Sequence, residues 1–283
     1  MINFIKMHAL GNDFVIIDNT NKGIVLTPQQ IYTICDRKEG VGCDQLIITE
    51  DVSPKELVKI TIYNADGSLA EACGNASRCV AWYAMNKYQV QEIKIKTCNR
   101  LLEATMGDGV ISINMGTPLF QPESIPLSDG VFAEGSPYLI FAESELKDLR
   151  GVPVNVGNPH IVFIVPELSG IDVATLGKMV EHHGYFPQKT NVEFIQVLNP
   201  HCIKMKVWER GTGITKACGT GACASFAVAS SLNIVESENV TVQLDGGNLT
   251  LGYDAQKNII LTGSATFVFE GKIYNSALVN EVN

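Results

Sequence analysis

The feature that most restricts how this chain can fold is that it is written twice. Ala72-Cys73-Gly74-Asn75 returns as Ala217-Cys218-Gly219-Thr220, an offset of 145 (73 to 218). Nine residues before each cysteine, a polar residue follows an aromatic one: Tyr63-Asn64 and Trp208-Glu209. Leu10-Gly11-Asn12 returns as Val156-Gly157-Asn158, and Asp44-Gln45-Leu46 as Thr190-Asn191-Val192, both at 146 (10 to 156, 44 to 190). Thr27-Pro28 and Asp172-Val173 each read as a helix start, and Ser112–Gly116 resembles Ile259–Gly263. Landmarks at so steady an offset imply two copies of one unit, each of ordinary domain size. The shared positions are largely Asn, Gln, Glu and Cys. A repeat kept only for packing would share apolar positions instead.

Each copy reads as α+β. Phe14–Asp18, Ile93–Thr97, Ile203–Val207 and Val240–Leu244 alternate as strands do. Gly107-Asp108-Gly109 and Asp245-Gly246-Gly247 are hairpin-turn signals. Asn75–Lys87 and Thr220–Asn233 read as helices, the second rich in Ala and Ser. Such small residues suit a central helix enclosed by a barrel-like mixed sheet. The expected organisation is an N-terminal repeat over 1–118, a C-terminal repeat over 119–264, and a tail of about 265–283 returning to the first repeat. The segment Gln121–Gly135 is expected to pass between the two.

Placed face to face, two such units bring their Cys-Gly-polar corners together in a cleft, each corner opening a helix. A helix start offers unsatisfied N–H groups and partial positive charge. It is therefore expected to lower the thiol pKa values and to hold a carboxylate on the amides of Gly74, Asn75, Gly219 and Thr220. Two thiols flanking a bound carboxylate suit two-base inversion: one thiolate removes a proton from the adjacent carbon, and the opposite thiol returns one to the other face. No cofactor is implied, for neither a lysine-centred pyridoxal signature nor a phosphate loop occurs. Without substrate, the same two thiols are expected to oxidise to a Cys73–Cys218 disulfide. The chain has eight cysteines but no C-x-x-C, and the Cys73/Cys79 and Cys218/Cys223 spacings are poor for a metal. Cys79 and Cys223 fall within the apolar helix pattern and read as small buried hydrophobes. The net charge of −9 argues against a nucleic-acid partner. No apolar run reaches the ~18–20 residues of a membrane span, and the first residues lack a signal-peptide core. The expected location is cytoplasmic.

Four segments carry a specific resemblance: K-M-H-A-L-G-N-D-F (6–14), N-A-D-G-S-L-A-E-A-C-G-N (64–75), V-G-N-P-H (156–160) and W-E-R-G-T-G-I-T-K-A-C-G-T-G-A-C (208–223). Together they resemble the diaminopimelate epimerases, a pyridoxal-independent family of two duplicated α/β domains. The resemblance runs from Lys6 to about Gly263. It implies interconversion of LL- and meso-diaminopimelate, which supplies lysine and peptidoglycan precursors, and a homodimer. It implies that Cys73 and Cys218 are the acid/base pair. Asn12, Gln45, Asn64, Asn158, Asn191, Glu209 and Arg210 would contact substrate, and Gly74-Asn75 and Gly219-Thr220 would hold the carboxylate at the reacting centre. Arg210 suits the distal carboxylate, since a guanidinium can grip it bidentately, and Glu209 a substrate ammonium. His160 is expected beside the substrate amine or Glu209 without itself reacting. Ala9 and Ala76 depart from the glycines usual at those places in the family. The rival readings are another cofactor-independent racemase on this scaffold and a non-catalytic redox-thiol protein. Against a proline racemase, the Cys-Gly-His and Asp-Arg-Ser-Pro signatures are absent.

Overall fold

A computed structural model of the chain describes residues 1–20, 23–52, 57–70, 74–131, 136–147, 149–274 and 278. The chain divides into two compact units, Met1–Ile113 with Gly263–Asn283, and Asn114–Thr262. The second unit is thus an uninterrupted stretch set inside the sequence of the first.

The first unit runs β1 (Ile2–Ala9), β2 (Asn12–Asp18), α1 (Pro28–Cys35), β3 (Gln45–Val52), β4 (Leu57–Asn64), β5 (Leu69–Ala70), α2 (Gly74–Tyr88), β6 (Glu92–Lys96), β7 (Leu101–Gly107) and β8 (Val110–Asn114). The second runs β9 (Leu139–Ile140), β10 (Arg150–Asn155), β11 (Pro159–Ile164), α3 (Val173–Glu181), β12 (Asn191–Asn199), β13 (Cys202–Glu209), β14 (Gly213–Ile214), α4 (Gly219–Ser231), β15 (Val240–Leu244), β16 (Gly247–Tyr253) and β17 (Ile259–Gly263). The last strand, β18 (Thr266–Ile273), pairs antiparallel with β1.

From β10 onward the second order repeats that of the first from β1, and so does the pairing. β1–β2 and β10–β11 are antiparallel hairpins, β2–β3 and β11–β12 are parallel, and β3–β4 and β12–β13 are antiparallel. β4–β6 and β13–β15 are parallel, each followed by an antiparallel partner, β7 or β16. Register repeats as well: Leu46 faces Tyr63, and Val192 faces Trp208. The α+β duplication read from the sequence is the architecture found.

Local chemistry explains the elements. Thr27 caps α1 in a reciprocal box with Gln30, with Pro28 in the first turn, where a missing N–H costs nothing. Asp172 caps α3 by accepting the Thr175 amide at 3.1 Å. Asp108 and Gly109 both have positive φ, 51° and 77°, as a tight hairpin turn requires. Every residue of α4 from Gly221 to Ala229 is buried. A helix without a polar face must be enclosed, and α4 touches β10, β11, β12, β13, β15 and β16 of its own unit. Cys79 and Cys223 are fully buried, as their place in the helix pattern implied.

The described part of Gln121–Gly135 belongs to the second unit, where Leu127 and Val131 pack on the core beside Phe141, Phe163 and Phe194. Their apolar side chains bury more surface there than an exposed connector could. Residues 132–135 lie outside the described part. Among the described residues, no helix is long and apolar enough to cross a membrane.

Candidate active site

In the second unit, α4 begins at the repeated motif. Cys218 is its N-cap, and the thiol sulfur accepts the Gly221 amide at 3.3 Å and lies 3.4 Å from the Thr220 hydroxyl. The Gly219 and Thr220 amides belong to the first turn, whose N–H groups the helix cannot satisfy. Glu209 acts electrostatically on Cys218, and its carboxylate accepts the Thr215 hydroxyl. Burial pushes the Glu209 carboxyl above its usual range, and the negative charge of Glu193 adds to that push.

The expected lowering of the thiol pKa is not met at Cys218. Burial drives it well above its ordinary value, and the carboxylates of Glu209 and Glu193 drive it further. Thr220 and the Gly221 amide offset this only in part. The helix start is real, but burial, reinforced by the two neighbouring carboxylates, outweighs its partial positive charge. The resting Cys218 is therefore a thiol, an acid holding its proton.

The neighbouring strands bring further candidates together. Asn191, at the start of β12, is 4% exposed. Its Nδ2 donates to the Pro159 carbonyl and its Oδ1 accepts the Arg210 amide, both at 2.9 Å. Asn191 thus ties the strand holding His160 to the turn holding Glu209 and Arg210. The Arg210 guanidinium donates to the Gln188 carbonyl at 3.3 Å. Glu181, on α3, secures the same turn by accepting the Trp208 indole N–H at 2.7 Å and the Gly211 amide at 2.9 Å. A Cβ at Gly177 would stand 2.5 Å from Trp208, so glycine lets α3 come this close. His160 is fully buried, with Nδ1 2.7 Å from Glu193 Oε1 and Nε2 2.9 Å from Asn158 Oδ1.

In the first unit, Asn75 opens α2 almost fully buried, and its Nδ2 donates to Asn12 Oδ1 at 3.5 Å. Asn12 in turn donates to Asp44 at 3.1 Å. Gln45 and Asn64 face each other across β3 and β4, and the Gln45 amide donates to Asn64 Oδ1 at 3.1 Å. Arg78 lies fully buried beneath this helix start, donating to Asn75 Oδ1 at 2.6 Å and to the Gly74 carbonyl at 3.4 Å. Cys73 lies outside the described residues. Glu193, Glu181 and Arg78 are contributors that the sequence reading did not single out. Among the described residues, no group of His, Cys, Asp and Glu could hold a metal ion.

A family model described as diaminopimelate epimerase matches the chain over residues 4–120 and again over 152–268. The chain is 42% identical to a diaminopimelate epimerase of Sphingopyxis alaskensis, across 95% of this chain and 96% of that one. It is 39% identical to that of Zymomonas mobilis over the same shares. In fold it resembles a hydroxyproline epimerase from Agrobacterium vitis, with a TM-score of 0.64, 12% identity, and 95% and 91% of the two chains covered. A phenazine biosynthesis protein from Enterococcus faecalis gives a TM-score of 0.62 at 12% identity, covering 96% and 99%. The fold is thus shared across several chemistries, while the sequence match extends through both repeats: the chain belongs to the diaminopimelate epimerase family.

Proposed function

We propose that this chain interconverts LL- and meso-diaminopimelate by moving a proton at one α-carbon between Cys73 and Cys218, without a cofactor. The observation that carries the reading is the Cys218 corner: a thiol that caps a helix start and accepts its Gly221 amide, with the half-buried carboxyl of Glu209 close enough to act on it. In one direction the Cys73 thiolate takes the α-proton and the Cys218 thiol delivers its own to the opposite face. The centre is inverted and the enzyme is left with the reverse protonation pattern. In the other direction Cys218 must first lose its proton, and the adjacent Glu209 is placed to take it. A substrate ammonium beside Glu209 would offset the negative charge that holds Cys218 protonated, so substrate itself favours the thiolate. The free amides of Gly219 and Thr220 suit the carboxylate next to the reacting carbon, whose charge grows as the proton leaves. Arg210 suits the distal carboxylate.

The functional repeats are taken as 1–118 and 119–264, with residues beyond about 265 completing the first; the pairing of β18 with β1 supports this. A homodimer is supported by β18, which exposes Phe267, Val268 and Phe269 at 43%, 49% and 45%. A cytoplasmic location fits a substrate that feeds lysine and peptidoglycan-precursor synthesis.

The test is incubation of pure, reduced protein with either isomer in deuterium oxide, with no added cofactor. Both isomers should appear, and the inverted centre should carry one deuterium. Proline turned over while diaminopimelate is untouched would overturn the assignment.

A further inference from the structure

The turn that carries Arg210 is built on glycines. Gly211 and Gly213 both stand at positive φ, 75° and 95°, and a Cβ at Gly211 would meet no atom within 4 Å. Such a backbone stays free to move unless something outside it holds it. The corresponding turn of the first repeat is closed by its own side chains. Asp66 accepts the Ser68 amide at 2.9 Å and the Ser68 hydroxyl at 2.6 Å, and Asn64 donates to that hydroxyl at 3.1 Å. In the second repeat the Thr212 amide closes on the Glu209 carbonyl at 3.0 Å, and side chains from α3 and β12 do the rest.

Glu181 ends α3 and is 2% exposed. Its Oε2 accepts the Trp208 indole N–H at 2.7 Å, and its Oε1 accepts the Gly211 amide at 2.9 Å. Both partners can only donate, so both oxygens must accept. Burial would raise the Glu181 carboxyl, but the bonds from Trp208 and Gly211 outweigh it and hold the group below its usual range. Lys189 Nζ lies 3.8 Å from Oε1, and His182 Nδ1 lies 3.7 Å from Oε2. In the first repeat α1 ends instead on Cys35, also buried. Taking a carboxylate out of water is costly, and an apolar side chain would cover Trp208 as well. What only the carboxylate adds is the bond to Gly211, the residue after Arg210.

Arg210 is therefore held from both flanks. Its own amide is bonded to Asn191, the next amide to Glu181, and its guanidinium to the Gln188 carbonyl in the chain leaving α3. Glu209 is fixed separately: it lies in β13, paired with Gly213 of β14, and its carboxylate takes the Thr215 hydroxyl. We propose that Glu181 is a positioning residue for specificity: by anchoring the Gly211 amide it fixes the reach of Arg210, and so sets the affinity for the distal carboxylate of the substrate. The inference rests on the proposed epimerase reading and on Arg210 taking that carboxylate. The distal end takes no part in bond making. The hold on it is the same before and at the transition state, so its loss appears in KM.

The experiment compares the parent protein with Glu181→Gln, Trp208→Phe and the double variant Glu181→Gln/Trp208→Phe. A glutamine has one acceptor for two donors, so its NH₂ must face either the indole or the Gly211 amide. Glu181→Gln should raise KM about 10- to 100-fold, the span of a lost hydrogen bond to a charged group. Its kcat should stay within about threefold of the parent, since Glu209 and Cys218 are held separately. Removing the indole N–H leaves the glutamine carbonyl to Gly211, so the double variant should return to the KM of Trp208→Phe. A role in stability alone would instead make the two changes add. In an Arg210→Met background, Glu181→Gln should raise KM no further. A parental KM in Glu181→Gln, a loss carried by kcat, no recovery in the double variant, or a further rise beside Arg210→Met overturns the proposal. Should Glu181→Gln alone not fold, the double variant decides: a KM matching Trp208→Phe supports the proposal, and a higher one, or failure to fold, overturns it. Hydrogen exchange at the Gly211 amide needs no substrate; it should be slow in the parent, faster in Glu181→Gln and slow again in the double variant. If it behaves so while the parent leaves diaminopimelate unchanged, the epimerase reading fails and the brace stands.

Discussion

Asn191 and Gln45 occupy the same place in the two repeats, and the structure sets different stability costs on removing them. Asn191 spends both ends of its amide on backbone, the Pro159 carbonyl and the Arg210 N–H, each at 2.9 Å. Replacing it with leucine keeps the volume and strips both bonds. An unpaired buried polar group costs about 1–3 kcal/mol. The Arg210 amide lies near the surface and regains part of its loss from water, so the expected total is about 2–4 kcal/mol. For a chain of this size that is a fall in melting temperature of roughly 4–16 °C. Gln45 makes one bond, to the half-buried Asn64, and its Oε1 is buried without a hydrogen-bond partner among the described residues. Gln45→Leu loses that bond but also removes an unpaired oxygen, so its stability should change by no more than about 1 kcal/mol. Thermal and urea unfolding of the two variants side by side measures the difference. Equal destabilisation, or a larger loss at Gln45, would refute the view that Asn191 is a clamp and Gln45 is not.

Cys218→Ala should abolish inversion, whereas Cys223→Ala, one buried turn further along α4, should cost stability and leave turnover; full activity of Cys218→Ala in the deuterium-exchange assay would sink the mechanism. Because burial raises the Cys218 thiol, its alkylation by iodoacetamide in the empty protein should keep rising with pH beyond the ordinary thiol range, followed by peptide mapping; a plateau below pH 8 would contradict the structure. Burial would raise the Asp13 carboxyl, but hydrogen bonds from Arg37 and Lys6 outweigh it and hold the group below the usual carboxylate range. A depressed folded pKa gives stability that is present above the unfolded value of about 3.9 and is lost as pH falls through the folded one. Asp13→Asn should therefore be less stable than the parent near neutral pH, with the gap closing below about pH 4; a gap that widens on acidification would be wrong in sign.

Much of the architecture was legible because the chain repeats itself. The polar landmarks fixed the equivalence of β1–β7 with β10–β16, and small residues in Thr220–Asn233 foretold a helix enclosed on all sides, which the structure ends at Ser231. The turn residues placed the hairpins. What was not legible were the buried charges. Arg78 sits among Ser and Cys in a helix, and its sequence does not show that its guanidinium lies beneath Asn75. Glu193 alternates with Asn191 and Ile195 in a strand, where the period alone does not separate a buried acid from a solvated one. The repeat held a usable signal: Glu193 aligns with Ile47 and His160 with Phe14, an acid and a base jointly replacing two hydrocarbons. The thiol acidity was misjudged for the same reason. Helix-end polarity can be read from a motif, but the carboxylates opposing it come from β12 and β13.

The pairing of β18 with β1 also bears on how the protein is made. About 250 residues separate these neighbouring strands, Ile2–Ala9 and Thr266–Ile273. A ribosome adding 5–20 residues per second needs on the order of 10–50 s to span that distance. For that interval β1 carries an unpaired edge, of the kind that invites pairing with foreign strands. The second repeat, contiguous in sequence, has all its strands before the first can close. A nascent chain stalled between the two is thus a finished second copy tethered to an incomplete first, and chaperones or proteases would meet it at the exposed edge of β1.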